Sequence, residues 1–237
     1  MSGGQILVSE LLGTGVMTLL GSGVVSNVVL RRTNGHDSGW LVIVLGWGFA
    51  VFAGASVASP SGGHVNPAVT LGVALRGGIS WSEVPWYVTG QVIGAFLGAV
   101  VAWLAYKLQF DHNEDNSETR GIFCTTPLIR SHAWNGLTEV IGTFVLVAWV
   151  LVNPVENSAL GYAAVAFLVV GIGCSLSGPT GYAINPARDL GPRIAYAVLP
   201  IPGKGSADWG YALVPIIGPL TGAALAAGLV ALLPTVG

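Results

Sequence analysis

Long apolar runs alternate with short polar connectors along this chain. Runs at 6–30, 40–58, 84–108, 137–152, 160–177 and 211–233 come close to or exceed the roughly 20 residues that cross a ~30 Å hydrocarbon core. They predict six membrane helices. Polar connectors fall at 31–38, 111–132 and 153–157. The longest, 111–132, holds four carboxylates and two arginines. It reads as an extramembrane loop joining two halves, its charges solvated and nothing in it resembling a catalytic cluster.

Two stretches break the pattern. Gly63-His64-Val65-Asn66-Pro67-Ala68-Val69-Thr70 and Tyr182-Ala183-Ile184-Asn185-Pro186-Ala187-Arg188-Asp189 share the tripeptide Asn-Pro-Ala inside apolar surroundings. Asn is a favoured helix N-cap, and Pro suits the first helical position because its missing N–H would be unpaired there anyway. Each tripeptide therefore predicts a helix start. A helix from Asn66 reaches Arg76-Gly77-Gly78 after about ten residues, or roughly 15 Å, half a membrane. The helix from Asn185 meets Pro192 after two turns and stops by Pro200, so it is short as well. A single Asn-Pro-Ala would be an ordinary cap. Two copies in equivalent places are a pattern.

The halves repeat beyond the tripeptides. Glu10-Leu11-Leu12-Gly13-Thr14 matches Glu139-Val140-Ile141-Gly142-Thr143, and Gly94-Ala95-Phe96-Leu97-Gly98-Ala99 matches Gly218-Pro219-Leu220-Thr221-Gly222-Ala223. Three spans per half is an odd number, so the second copy enters the membrane from the opposite face, giving an inverted repeat of 1–110 and 133–237 within one domain. Inversion brings the two half-helices in from opposite sides, their N-termini meeting near the midplane. Non-helical backbone at that depth must be buried in protein or line a wet cavity. Gly62, Gly63 and His64, and Gly181, Tyr182 and Ala183, are that backbone, with carbonyls that water or solute in a pore could satisfy. Gly90, Gly94 and Gly98 in the third span, and Gly218 and Gly222 in the sixth, allow close helix approach in lipid.

Composition agrees with a bilayer. Of 237 residues, 52% are hydrophobic and 8% charged, with mean hydropathy +0.71, where soluble domains carry about 25% charged residues. The net charge of -2 offers no basic surface for nucleic acid. Cys124 and Cys174 stand far apart, with no zinc or redox spacing, and are expected to be small buried apolar side chains. The first apolar run is too long, and lacks the basic leader, for a cleavable signal peptide, so it is expected to remain as a membrane helix.

These motifs resemble the major intrinsic protein superfamily of aquaporins and aquaglyceroporins over essentially the whole chain. The resemblance implies an all-α membrane fold of six transmembrane helices and two re-entrant half-helices. It also implies a homotetramer with one pore per subunit, both termini cytoplasmic in the cell membrane, passive flow of small neutral solutes, and no cofactor. The orientation conflicts with the charges. Arg31, Arg32, Lys107, Arg120, Arg130, Arg188, Arg193 and Lys204 share one side and only Arg76 lies opposite, so the positive-inside rule would make the richer side cytoplasmic. Several of these cations fall in the long loop or at the pore, where the rule is weak, and the family orientation is adopted.

Within the superfamily the chain is closer to glycerol facilitators. Asp189 directly after Arg188, and Arg193 after Gly191-Pro192, follow the pattern those channels tend to show. Asp189 also has a plain explanation, a carboxylate complementing a helix N-terminus. The family's selectivity filter falls on Gly173, Tyr182 and Arg188, and on Trp47 in the second span. Water channels typically carry His where Gly173 stands. Trp47 lies one residue closer to Asn66 than the family's usual spacing, which would otherwise select Gly46; as an alternative, Trp is common near membrane interfaces. A Trp and a Tyr opposite an Arg form an amphipathic aperture, with aromatic faces for the carbon edge of a polyol and up to five N–H donors for its hydroxyls.

Intramembrane Glu10 and Glu139 are costly to bury. Either they relay protons or, as their equivalent positions favour, each braces the re-entrant loop of its half. His64 is expected to brace its loop rather than bind a metal, because no second ligand has suitable spacing. The function expected is a channel for glycerol and similar small solutes with some water, excluding ions and protons. A water-selective channel is the near alternative. Coupled transport needs a charged midplane site where the sequence offers only Asn66 and Asn185, and no nucleophile–base arrangement suggests an enzyme.

Overall fold

A computed structural model describes residues 1–155 and 158–233, so the end of the predicted 153–157 connector and the last residues of the second repeat lie outside the described residues. Among the described residues the chain forms ten α-helices and no strand. They are α1 (Gly3–Val29), α2 (Trp40–Val57), α3 (Pro67–Leu75), α4 (Val84–Ala105), α5 (Lys107–His112), α6 (Arg120–Phe123), α7 (His132–Val152), α8 (Tyr162–Leu176), α9 (Pro186–Val198) and α10 (Val214–Val230). Four of them, α1, α2, α4 and α7, are long and apolar enough to cross a membrane. The fifth and sixth predicted spans appear as the shorter apolar helices α8 and α10, of 15 and 17 residues.

The order α1-α2-α3-α4 recurs as α7-α8-α9-α10, and so does the packing. α1 lies against α4, and α7 against α10. The predicted glycines make these contacts. A Cβ on Gly94 would sit 2.3 Å from the Leu11 carbonyl oxygen, one on Gly98 2.3 Å from that of Gly15, and one on Gly222 2.4 Å from that of Val140. These helices touch backbone to backbone, which is how helices associate where no hydrophobic gain is available between them. The outward faces carry exposed Leu12, Phe49, Phe52, Leu97, Phe167 and Leu225, large apolar side chains of the kind that lipid rather than water accommodates. Cys124 is buried as expected; Cys174 is exposed on the outer side of α8, which corrects that half of the expectation.

α3 and α9 are the two half-helices. Asn66 caps α3, its Oδ1 accepting from the Ala68 N–H at 2.9 Å, and Asn185 caps α9, its Oδ1 accepting from Ala187 and Arg188 N–H at 3.0 and 3.2 Å. α9 continues through Pro192 and ends at Val198. Its last carbonyls would otherwise lack donors; the Lys204 ammonium donates to those of Tyr196 and Ala197 at 2.7 and 2.8 Å, and to that of Leu199 just beyond the helix at 2.6 Å. Each half-helix crosses to the other repeat, α3 packing on α10 and α9 on α4. Their tips meet reciprocally: Asn66 Nδ2 donates to the Ile184 carbonyl and Asn185 Nδ2 to that of Val65, both at 2.9 Å.

Candidate functional site

The segments leading into the two tips have backbone that needs holding. Val65, Tyr182 and Ile184 have φ of 45°, 42° and 43°, a region that β-branched and bulky residues rarely enter and that costs about 1–3 kcal/mol each. Glu10 accepts from the N–H groups of His64 (3.2 Å) and Val65 (2.8 Å), from Ser61 Oγ (2.6 Å) and from Gln91 Nε2 (2.7 Å). Glu139 does the same in the second half, accepting from Ala183 N–H (3.0 Å), Ile184 N–H (2.8 Å) and Thr180 Oγ1 (2.7 Å). Both carboxylates are buried, and both oxygens of each accept hydrogen bonds, chiefly from the re-entrant loop of its half. His64 stacks on Tyr87 with ring centroids 4.5 Å apart, and its Nδ1 lies 3.1 Å from Thr70 Oγ1. Gln91 and Tyr87, which sequence reasoning did not single out, complete this brace: Tyr87 donates to the Ser61 carbonyl at 2.6 Å, and Gln91 bridges Glu10 and Thr70.

A cavity of about 710 Å³ runs past these loops. Trp47, Tyr182 and Arg188 line one end, Asn66 and Asn185 the middle, and Arg76, Ile79 and Val155 the far mouth. One wall is apolar, with Val51, Val69, Val73, Leu146, Val150 and Val169; the other is the loop backbone of Gly62, Gly63 and His64, and of Tyr182, Ala183 and Ile184. A small solute with both carbon and hydroxyl faces meets a matching surface on each side. Gly181 and Gly173 are not on this wall. Gly181 has φ +79° and its N–H donates to the Ser177 carbonyl, so it serves the turn. Gly173 lies behind the ring of Tyr182: a Cβ there would be 3.0 Å from Tyr182 Cζ and Oη and 2.7 Å from Val44 Cγ1.

The Trp47–Tyr182–Arg188 end is built from both repeats. The Arg188 guanidinium carbon lies 4.0 Å from the centroid of the Trp47 ring, in reach of a cation–π contact. Its Nη1 donates to the Phe123 carbonyl at 3.2 Å. Gly46 points elsewhere, since a Cβ on it would lie 2.5 Å from Val24 of α1. Trp47 is thus the second-span residue that faces Arg188, despite the shortened spacing. Its ring has room because Gly21 has no side chain; a Cβ there would fall 2.3 Å from the ring. No sequence signal distinguished Gly21 from the other helix glycines.

The connector 111–132 keeps its four carboxylates exposed, as expected, but residues 122–125 are buried against the site, which its composition did not indicate. Lys107–His112 and Arg120–Phe123 are helical, and residues 123–126 turn inward to the site. Thr125 donates to Asp189 Oδ2 through its N–H (2.8 Å) and its hydroxyl (2.6 Å). Asp189 Oδ1 accepts from Arg193 Nε at 2.8 Å, both side chains being 0% exposed. The eight cations of the richer side are also largely engaged. Arg31 pairs with Glu114, Lys107 with Asp111, Arg130 with Asp208 and Arg193 with Asp189.

Comparison with known proteins agrees with this geometry. A family model described as major intrinsic protein matches residues 2–230. The chain is 50% identical over 228 residues to a probable glycerol uptake facilitator protein of Thermotoga maritima, covering 95% of this chain and 97% of that one. It is 48% identical over 223 residues to a glycerol uptake facilitator protein of Streptococcus pneumoniae strain R6, covering 93% and 95%. The X-ray structure of the aquaglyceroporin from Plasmodium falciparum superposes with TM-score 0.80 at 27% identity, covering 98% of this chain and 100% of that one. Six membrane helices and two half-helices in an inverted repeat, with paired Asn-Pro-Ala tips, are thus the aquaporin fold, and the chain belongs to the major intrinsic protein family, whose glycerol facilitators are membrane channels and not enzymes.

Proposed function

We propose that this protein is a passive channel for glycerol and similar small uncharged solutes, conducting some water and excluding ions and protons. The observation that carries the reading is the aperture of Trp47, Tyr182 and Arg188, with Arg188 4.0 Å over the Trp47 ring. Aromatic faces take the CH and CH₂ edge of a polyol while the guanidinium donates to its hydroxyls. The names of the relatives from Thermotoga maritima and Streptococcus pneumoniae support the same solute. At the midplane each Asn side chain spends one Nδ2 hydrogen on the opposite loop, which leaves the other for a passing oxygen. The two inward helix N-termini add a positive potential there, the kind of barrier by which aquaporin-type pores exclude protons and cations.

Residues 1–110 and 133–237 act as one channel domain, as a homotetramer in the cell membrane with both termini cytoplasmic. The family resemblance supports that orientation against the Lys/Arg count, since Arg188 and Arg193 sit at the pore and in the wall behind it rather than in short flanking loops. Stopped-flow light scattering of proteoliposomes tests the function. Glycerol-driven reswelling well above that of protein-free vesicles, with no ion gradient, is the expected result. Water flux without glycerol flux would select the water-channel alternative, and glycerol entry only under an ion gradient would select coupled transport.

A further inference from the structure

Arg188 and Asp189 are neighbours in sequence, yet they serve opposite walls. Successive residues of a helix point about 100° apart, so Arg188 reaches the cavity while Asp189 is turned away from it into a fully buried site. There its Oδ2 takes both donors of Thr125, and its Oδ1 takes Arg193 from one turn further along α9. Arg193 spends three of its four remaining N–H donors on backbone: Nη2 on the Thr125 carbonyl at 3.1 Å, and Nη1 on those of Ala207 and Asp208 at 2.7 and 3.1 Å. Two residues before Thr125, the Phe123 carbonyl receives Arg188 Nη1, and the Phe123 ring packs on Tyr196 of α9 with centroids 5.3 Å apart.

We propose that Asp189, Arg193 and Thr125 form a positioning unit that holds the Phe123 carbonyl against Arg188 and so sets the glycerol-to-water ratio of the pore; the inference rests on the glycerol-channel reading above. The physical reason is that a guanidinium has five N–H donors in one plane. Which of them face a solute depends on how that plane is turned. The Trp47 ring fixes its tilt and the Phe123 carbonyl its rotation. Phe123 ends the four-residue α6 and the chain that leaves it, 124–126, is irregular, so its carbonyl is held in place through Thr125 on Asp189 and through the Phe123–Tyr196 contact. A buried ion pair adds little net stability over an apolar substitute. Asp189–Arg193 earns its place through geometry, since its oxygens and nitrogens tie α9, residues 124–126 and residues 207–208 together. A polyol needs two or more donors in register, whereas water needs one, so loosening the carbonyl costs glycerol more than water.

The test uses full-length protein in proteoliposomes and reads the glycerol-to-water permeability ratio, which does not depend on how much protein is inserted. Thr125→Val keeps shape and the N–H contact but deletes the hydroxyl donor, and should lower the ratio roughly three- to tenfold. Thr125→Ser restores the donor and should return the wild-type ratio. Arg31→Gln, which breaks only the exposed Arg31–Glu114 contact to the same connector, should leave it unchanged. Asp189→Asn should lower the ratio as Thr125→Val does; if it does not assemble, the Thr125 pair decides. A wild-type ratio in Thr125→Val, or an equal loss in Thr125→Ser, overturns the positioning role while leaving the channel reading intact. Absence of glycerol flux through the wild-type protein withdraws both.

Discussion

The guanidinium of Arg188 lies over the indole of Trp47 at 4.0 Å, joining a residue of the first repeat to one of the second. Neither half of the chain holds the aperture alone. α2 delivers the ring, the first turn of α9 delivers the cation, and the reciprocal Asn66–Ile184 and Asn185–Val65 contacts set the distance between them. Gly21 and Gly173 contribute by absence, each leaving the space beside it that the ring of Trp47 or Tyr182 occupies.

This contact predicts the effect of removing the ring. A buried cation–π contact contributes on the order of 1–2 kcal/mol, and Trp47→Leu loses it together with the flat wall that meets the solute's carbon edge. Glycerol permeability should fall several-fold more than water permeability in reconstituted vesicles. Gly46→Ala instead forces a Cβ to within 2.5 Å of Val24, so it should lower the melting temperature in detergent and spare the ratio. If Gly46→Ala moved the ratio and Trp47→Leu did not, the filter position would shift by one residue.

Replacing the cation itself should change a different property. Arg188→Val removes the charged side chain that lines the Trp47–Tyr182 end of the cavity, and with it a fixed positive charge expected to repel cations in a low-dielectric passage. Cation or proton leak, followed with a pH-sensitive dye in vesicles under an imposed gradient, should rise while neutral solute flux persists. Unchanged leak together with unchanged solute preference would remove Arg188 from the barrier.

Most of the architecture was legible because a membrane leaves few choices. The six apolar runs, the two Asn-Pro caps and the odd number of spans per half force an inverted pair of half-helices, and the small residues Gly94 and Gly222 mark where backbones touch. Glu10 and Glu139 were conspicuous because a carboxylate in an apolar run has to satisfy something. What was not legible lies in long-range geometry. Thr125 and Phe123 sit in a connector whose composition reads as solvated, and only its fold-back onto Asp189 turns it into a wall of the site. Gly21 is one helix glycine among many until Trp47 is seen to fill the space beside it.

Gly173 offers a test of solute size. Because a Cβ at that position already lies 3.0 Å from the Tyr182 ring and 2.7 Å from Val44, an imidazole there must push Tyr182 toward Arg188. Gly173→His should therefore cut glycerol permeability by roughly an order of magnitude, within the about 1–3 kcal/mol that overpacking a closed site costs, while water still passes. A variant that assembles and conducts glycerol at the wild-type ratio to water would falsify the part given to Tyr182 and the space behind it.

Glu139 separates a brace from a proton relay. Its Oε1 accepts from Thr180 and Ala183 and its Oε2 from Ile184. In Glu139→Gln the amide oxygen can keep the Ile184 N–H, and the Thr180 hydroxyl can rotate to accept from the new NH₂, but the Ala183 N–H is left facing a donor. One charge-assisted bond is lost, about 1.5–3 kcal/mol, beside an Ile184 backbone already held at φ 43°. Glu139→Ala abandons all three donors and should be destabilised more. The brace thus predicts a graded fall in melting temperature, Gln then Ala, with proton flux remaining at the wild-type background in whatever Gln variant assembles. A Glu139→Gln channel that melts at the wild-type temperature yet changes its proton flux would make the carboxylate a relay instead.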